Sequence, residues 1–374
     1  MPDLSLIMLG AGNSTRFKHD IKKQWLRFGD TPLWLYSTQN ITKNRKFAKI
    51  IVTAHKDEIE YMKKYRSDFV FVEGGKSRQE SLKNALLKVD TPHVLVSDVA
   101  RVFVCDDMLE RVLKEKGKAD ITVPYLNASD TVVYSEETID REKVKLIQTP
   151  QLSITKVLSR ALETKTQYTD DSSAIKAMGG IVTYVKGDAK AKKLTFLEDL
   201  NEIPKDKKPN LDIFTGNGFD VHQFENGKPM MLCGVKIQDN IGFKAHSDGD
   251  VAIHALIDSL LGAIGAGDIG ELFPNDDDRY RDIDSKELLK KVFSFVTQVG
   301  YKIINCDITI MAQTPKIGKF KGQMRETIAK ILHIKPIYIN IKATTTEKLG
   351  FIGRSEGVGV QATSSLKFID WTKI

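Results

Sequence analysis

The chain has 374 residues, 41% of them hydrophobic and 28% charged, a globular composition that excludes a disordered, collagen-like or disulfide-scaffold protein. Its length predicts two domains. Lys plus Arg number 56 against 49 Asp plus Glu, a net charge of +7 with the signs interleaved, which suits anionic small molecules and lacks the clustered basic face of a nucleic-acid binder.

The apolar run at residues 4–9 leads straight into a glycine loop and reads as a first strand, not a leader. Short β-branched runs then alternate with longer amphipathic stretches: LSLIML, AKIIVTAH, DFVFVEGG, HVLVSDVA, ADITVPY and GGIVTYV. That alternation predicts a βαβ architecture around a mostly parallel sheet, with ligands beyond the carboxyl ends of the strands. Residues 10–16, 74–78 and 98–101 occupy such positions. The stretch NEIPKDKKPN carries two prolines and few apolar side chains, so the division expected is 1–204, a linker at 205–213, and 214–374. Beyond it come a polar strand around GFDVHQF, a helix from about 248 to 263, a second near 285–299, and strands CDITIMA and IYINIKATTT, which predict an α+β domain. Cys105, Cys233 and Cys306 are far apart, odd in number and without CxxC spacing, as in a reducing compartment. No run approaches the ~20 apolar residues of a membrane span, so the expectation is a cytoplasmic protein with neither membrane nor nucleic acid as partner.

LGAGNSTRF places Gly10 and Gly12 where a strand gives way to a helix, the setting in which backbone N–H groups face a phosphate. It is not a Walker loop, and Thr15 stands where a dinucleotide fingerprint has its third glycine. A tight turn would carry the same run. Arg16, then Lys22 and Lys23 followed by Gln24, add fixed cations beside it, as transfer at a triphosphate requires. With these, GGKSRQES, SDVAR, SDT at 129–131, TPQ at 149–151, TDDSSA and LTFLEDL resemble, in order, the motifs of 2-C-methyl-D-erythritol 4-phosphate cytidylyltransferases over about the first 200 residues. The resemblance implies a Rossmann-like α/β nucleotidyltransferase domain in which CTP and Mg²⁺ or Mn²⁺ bind over the loop Gly10, Ala11 and Gly12. The substrate phosphate attacks the α-phosphorus and pyrophosphate leaves. It further implies that Arg16 and Lys23 stabilise the transition state and that Arg141 and Lys193 position methylerythritol phosphate. Gly75 and Ser81 would contact cytidine, and Asp98, Arg101 and Thr131 the nucleotide or the sugar phosphate. The chain departs from the pattern at Ser14, where the family usually has glycine, at Lys22 in place of the proline of PKQ, and at SDVARV in place of HDAARP.

Asp220 and His222 are two apart in a strand and so face one side, while His254 sits in a helical period; two imidazoles and a carboxylate are the ligand set of a catalytic Zn²⁺. Asp250 and Asp258 share the His254 face of the helix, and one or the other is expected to orient the imidazole. FDVHQF, AHSDGDVAIHAL, GDIGELFPNDD, AQTPKI and KATTTEKLGFIGRSEG resemble 2-C-methyl-D-erythritol 2,4-cyclodiphosphate synthases across residues 216–374. That resemblance implies Zn²⁺ or another divalent ion on Asp220, His222 and His254, and a Mg²⁺ or Mn²⁺ on Glu347 between the phosphates. His246 and Ser247 would hold the attacking phosphate, and His246 and Thr345 would support the transition state. Asp268, Ile269 and Gly270 with Phe273, Pro274, Asn275, Asp276 and Asp277 would form the methylerythritol pocket. Ala312, Pro315 and Lys316 with Thr344, Thr346 and Glu347 would cradle the cytidine diphosphate, and Phe351 and Arg354 lie close by. CMP leaves.

The implied protein is a bifunctional enzyme of the non-mevalonate isoprenoid route, nucleotidyltransferase first and phosphorus–oxygen lyase second. The resemblance implies a homotrimer of the second domain with sites between subunits and a dimer of the first, together giving a hexamer. Gln361 replaces a glutamate near the threefold cavity. Because a kinase acts between the two steps, association with it is a further expectation. Two other readings of the first domain stay open: transfer to a different acceptor, and a non-catalytic nucleotide-binding scaffold.

Overall fold

The computed structural model describes residues 3–245, 248–274 and 283–374. The expected site residues His246, Ser247, Asn275, Asp276 and Asp277 lie outside them. The chain divides into two compact units, Met1–Lys208 and Pro209–Ile374. Among the described residues no helix is long and apolar enough to cross a membrane.

The first unit is built on a sheet of β1 (Leu4–Leu9), β2 (Ile50–Ala54), β3 (Val70–Glu73), β4 (His93–Asp98), β5 (Ile121–Asn127), β6 (Lys145–Ile147), β7 (Gln151–Ile154) and β8 (Val182–Lys186), in the order β6-β5-β7-β4-β1-β2-β3 with β8 on β5. Every residue of β1 is buried, as a strand covered on both faces by helices must be. The helices Arg78–Leu86, Thr155–Ala161 and Asp171–Ala177 supply Leu82, Leu158 and Ile175 to the core against Ile7, Val94 and Ile121. From β4 through β3 the strands are parallel, as expected. The sheet as a whole is mixed, because β7 runs antiparallel between β4 and β5, and β6 pairs antiparallel with β5. The β7 sequence QLSI carries buried Gln151 and Ser153 and has no apolar run to announce it.

The second unit has a five-stranded sheet of β9 (Phe214–Asn226), β10 (Ile241–Phe243), β11 (Tyr301–Met311), β12 (Ile339–Thr344) and β13 (Gly357–Phe368), ordered β10-β9-β13-β11-β12. Its pairings are antiparallel except β11 with β12. The helix Val251–Ala263, begun by Asp250 accepting from Ile253 N, lies against β9. Gly216 and Gly218 make that approach possible: a Cβ at either would come 2.2 Å from Ser259 O or 2.0 Å from Ala255 O. Ser259 Oγ and Ser364 Oγ, 2.6 Å apart and buried, tie the same helix to β13.

This packing makes opposite predictions for two glycines of one interface. Gly218→Ala must push the helix off the strand and is expected to cost about 1–3 kcal/mol. Gly262→Ala meets nothing nearer than 3.7 Å and sits in a helix, where alanine is expected to gain about 0.5–1 kcal/mol. Urea unfolding of the two variants checks both signs.

Candidate active sites

The carboxyl ends of β1 and β4 open onto a cleft of about 300 Å³. Gly10 N donates to Thr53 O and to Thr53 Oγ1, each at 3.1 Å, which turns the chain sharply out of β1. The second glycine loop abuts the first: a Cβ on Gly74 would lie 2.1 Å from Ala11 Cβ. Gly75 N donates to Ser81 Oγ at 3.0 Å. Together these loops give one wall of the cleft, with Gly10, Ala11, Gly12, Gly75 and Ser81 all lining it.

Charge is supplied by Arg16, Lys23, Lys76, Arg78 and Lys193, against which Asp98 is the one acidic lining residue among those described. Lys193 Nζ donates to Asp98 Oδ2 at 2.8 Å, and Arg78 Nε reaches Asp98 Oδ1 at 3.4 Å. Burial raises the Asp98 carboxyl, but Arg78 and Lys193 outweigh it and hold the group at about 2. Lys23 donates to Leu194 O at 3.1 Å. Its burial, with the charges of Lys193 and Arg16, pulls the ammonium down to about 8.

The structure thus brings Arg16, Lys23, Asp98 and Lys193 together and separates other expected residues from them. Lys22 turns away and ion-pairs with Glu58. Lys192, next to Lys193, is instead paired with Asp199 and Glu202. Arg101 does not line the cleft; it donates to Ala191 O at 2.7 Å and Ile147 O at 3.3 Å, fastening the backbone just before Lys193. Thr131 and Arg141 flank the exposed hairpin Val132–Tyr134 and Glu137–Ile139, where Arg141 Nη1 donates to Ser129 O at 2.9 Å, outside the cleft. Sequence reasoning placed Arg78 at a strand end but gave it no role, and it missed Asp171. Arg78 spans Asp98 and fully buried Asp171, whose Oδ1 it meets at 2.5 Å, and burial raises the Asp171 carboxyl in spite of that contact. GGKSR and TDDSSA held the signal, but the pairing is long-range.

In the second unit Asp220, His222 and His254 converge, with donor atoms within 4.8 Å of one another. Asp220 Oδ2 lies 3.1 Å from His222 Nε2 and 3.2 Å from His254 Nδ1. Burial acts against the Asp220 charge, but the hydrogen bonds to both imidazoles hold its carboxyl well below the usual range. Burial likewise opposes charge on His222, and Asp220 outweighs it, raising that imidazole. The outer nitrogens are held too: His222 Nδ1 by Gly249 O at 2.9 Å, His254 Nε2 by Ser285 Oγ at 3.1 Å. Ser285 in turn donates to Asp248 at 2.5 Å.

The expectation that Asp250 or Asp258 orients the imidazole is corrected here. Asp250 is spent on backbone donors, accepting from Cys233 N, Gly234 N and Ile253 N. Asp258 accepts from Ile269 N at 2.8 Å, which docks Asp268, Ile269, Gly270, Phe273 and Pro274 at the helix one turn beyond His254. Two of these donors, Ile253 N and Ile269 N, are among the unpaired N–H groups at a helix start, which carboxylates commonly satisfy.

Thr344, Thr345, Thr346 and Glu347 lie elsewhere. Val221 pairs with Gly359, Gly359 with Met311, and Met311 with Thr344, so three interstrand spacings, about 14 Å, separate the donor cluster's strand from the end of β12. There Thr345 Oγ1 donates to Glu347 Oε1 at 2.8 Å, and Ala312 N to Thr344 O at 2.9 Å. Pro315 and Lys316 line a depression with Gln238 and Phe320. Phe351 belongs to the short helix Gly350–Gly353, and Arg354 pairs with Glu356 at 2.7 Å.

Residues 4–203 match the 2-C-methyl-D-erythritol 4-phosphate cytidylyltransferase family, and residues 213–367 match the YgbB family. Over the full length of both chains the protein is 55% identical to a bifunctional enzyme IspD/IspF of Aliarcobacter butzleri. It is 54% identical to the enzyme of that name from Sulfurimonas denitrificans, over 99% of this chain and 96% of the relative. The solved structure of the bifunctional IspDF from Campylobacter jejuni is similar at a TM-score of 0.87 and 50% identity, covering 99% of this chain and 100% of that one. With both units matched in order and the relatives covered end to end, the chain belongs to the bifunctional IspD/IspF family of isoprenoid biosynthesis, a cytidylyltransferase joined to a cyclodiphosphate synthase.

Proposed function

We propose that the cleft of the first unit binds CTP and transfers CMP to 2-C-methyl-D-erythritol 4-phosphate. The observation that carries this reading is the gathering of Arg16, Lys23 and Lys193 against two abutting glycine loops. A phosphate oxygen of the acceptor attacks the α-phosphorus, the bond to the β-phosphate breaks, and pyrophosphate departs with the charge. Arg16, which is exposed, and Lys23, which is half-buried, meet that developing charge as cations already in place. Lys193, held by Asp98, positions the acceptor phosphate, and Arg101 keeps the Lys193 backbone in place. Arg141 and Thr131 reach the reaction from the exposed hairpin of a second copy in a dimer.

The second unit cyclises 4-CDP-2-C-methyl-D-erythritol 2-phosphate: the 2-phosphate attacks the β-phosphorus, its bond to the α-phosphate breaks, and CMP leaves. Asp220, His222 and His254 fit a divalent ion, because each imidazole has one nitrogen fixed by an outer partner and turns the other toward the carboxylate. Zn²⁺ suits this set of two nitrogens and an oxygen. When bound, such an ion supplies Lewis-acid polarisation of a phosphate oxygen. Thr345 and Glu347 serve the diphosphate, Glu347 with a second divalent ion. Since they stand about 14 Å from the donor cluster in one chain, the site closes between copies, in a trimer. A cytoplasmic location accords with the phosphorylated substrates.

Three outcomes test these assignments. Arg16→Ala is expected to lower pyrophosphate release roughly 10²–10³-fold while CMP release by the second unit of the same preparation is unchanged; loss of both activities together would refute two separate sites. The basic limb of kcat/KM for transfer should fall near pH 8, where Lys23 loses its proton, and move upward in Lys23→Arg. Ser285→Ala should weaken zinc binding roughly 10–100-fold in competition with a chelator, and unaltered affinity would remove Ser285 from the ligand's support.

A further inference from the structure

Beside the cleft lies a buried network that no substrate role accounts for. Ser14 is left-handed, with φ 54° and ψ 27°, a conformation that a residue with a Cβ keeps only where surrounding bonds impose it. Its hydroxyl donates to Gln24 Oε1 at 3.3 Å and accepts from Lys23 N at 3.1 Å. Gln24, 1% exposed, donates from Nε2 to Gly12 O at 3.3 Å and to Glu58 Oε2 at 3.4 Å. Glu58 Oε2 also accepts from Trp25 Nε1 at 2.7 Å, and Glu58 Oε1 takes the Lys22 ammonium.

Glu58 ends the short 3-10 turn Lys56–Glu58 just after β2, and its side chain is 2% exposed behind the ring of Trp25, which packs on Tyr61, Tyr65 and Trp34. A carboxylate placed there needs a counter-charge and hydrogen-bond donors. Lys22, Gln24 and Trp25 provide them, and in doing so all three are drawn to one point. Neither Lys22 nor Glu58 lines the cleft, whereas Gly12, Ser14, Lys23 and Gln24 all do. A pair that merely filled the aromatic core would have no such bonds leading outward.

We propose that Glu58 is a positioning residue for cytidylyl transfer: paired with Lys22, its carboxylate fixes Gln24 and, through Gln24 and Ser14, the phosphate loop and Lys23. The inference rests on reading the cleft as the CTP site. Lys22 has φ −74°, within the range that proline imposes, so the ion pair does by charge what a rigid ring at this position would do by geometry. Two of the three departures from the cytidylyltransferase pattern, Ser14 and Lys22, are thereby joined in one device.

The experiment compares Glu58→Gln, Glu58→Gln with Lys22→Pro, and Lys23→Ala in the full chain. Glu58→Gln preserves shape but strands the Lys22 ammonium, and kcat for pyrophosphate release is expected to fall roughly 10–100-fold with CMP release by the second unit unchanged. The basic limb of the kcat/KM profile should shift with it. Adding Lys22→Pro removes the stranded charge and should restore most of the rate and return the limb. Unchanged kcat and limb in Glu58→Gln, with Lys23→Ala inactive, overturn the proposal whether or not the melting temperature falls. Full transfer by Lys23→Ala overturns the reading of the cleft, and the proposal with it.

Discussion

A carboxylate wholly or partly withdrawn from water organises each unit. Such a group is costly unless cations or donors surround it, so its neighbours have little freedom to be anywhere else. Asp98 ends β4 and gathers Lys193 and Arg78, with Arg78 continuing to Asp171. Removing any one of these partners would strand a charge in a place that tolerates none. Asp220 plays the same part for His222 and His254. The geometry of each site is therefore a consequence of satisfying one acid, buried at Asp98 and half-buried at Asp220, and the side chains that act on substrate inherit their positions from it.

What allows those acids to be buried is the approach of backbone to backbone. The first cleft exists because Gly74 lets its loop touch Ala11, so that two turns from different strands form one wall. In the second unit the helix Val251–Ala263 comes down on Gly216 and Gly218, which places His254 over Asp220 and His222 instead of a side chain's width away. Gly216, Gly218, Asp220 and His222 thus follow at two-residue steps along β9 for a single reason: residues two apart share a face, and that face meets a helix.

Much of this was legible in the sequence, and the limits have physical causes. Glycine loops at strand ends and an Asp-x-His beside a helical His are local patterns, and the structure brings their residues together. The strands β7 and β13 were not legible, because QLSI and GVGVQATSSLKF carry polar and small residues where a sheet interior usually shows branched apolar ones. Arg78 with Asp171 was invisible since 93 residues separate the partners. Asp250 and Asp258 failed as orienting groups for a different reason. Helical periodicity placed them correctly on the face of His254, but it says nothing about competing backbone donors, and it is those donors that the two carboxylates accept from.

The two sites, so alike in construction, are unbalanced in opposite senses. Around the first cleft the cations outnumber the acid: burial, Lys193 and Arg16 together bring the Lys23 ammonium to about 8. Like charges are held close there before any ligand arrives, so an entering triphosphate relieves a repulsion that the fold has already sustained, and no reorganisation is needed when charge develops. The second site has the reverse disposition. One carboxylate and two imidazoles converge, and the Asp220 charge that raises the His222 imidazole favours a cation at this place. One unit awaits an anion and the other a cation, and phosphate chemistry calls for both, because its charge can be met either by fixed side chains or by a bound ion.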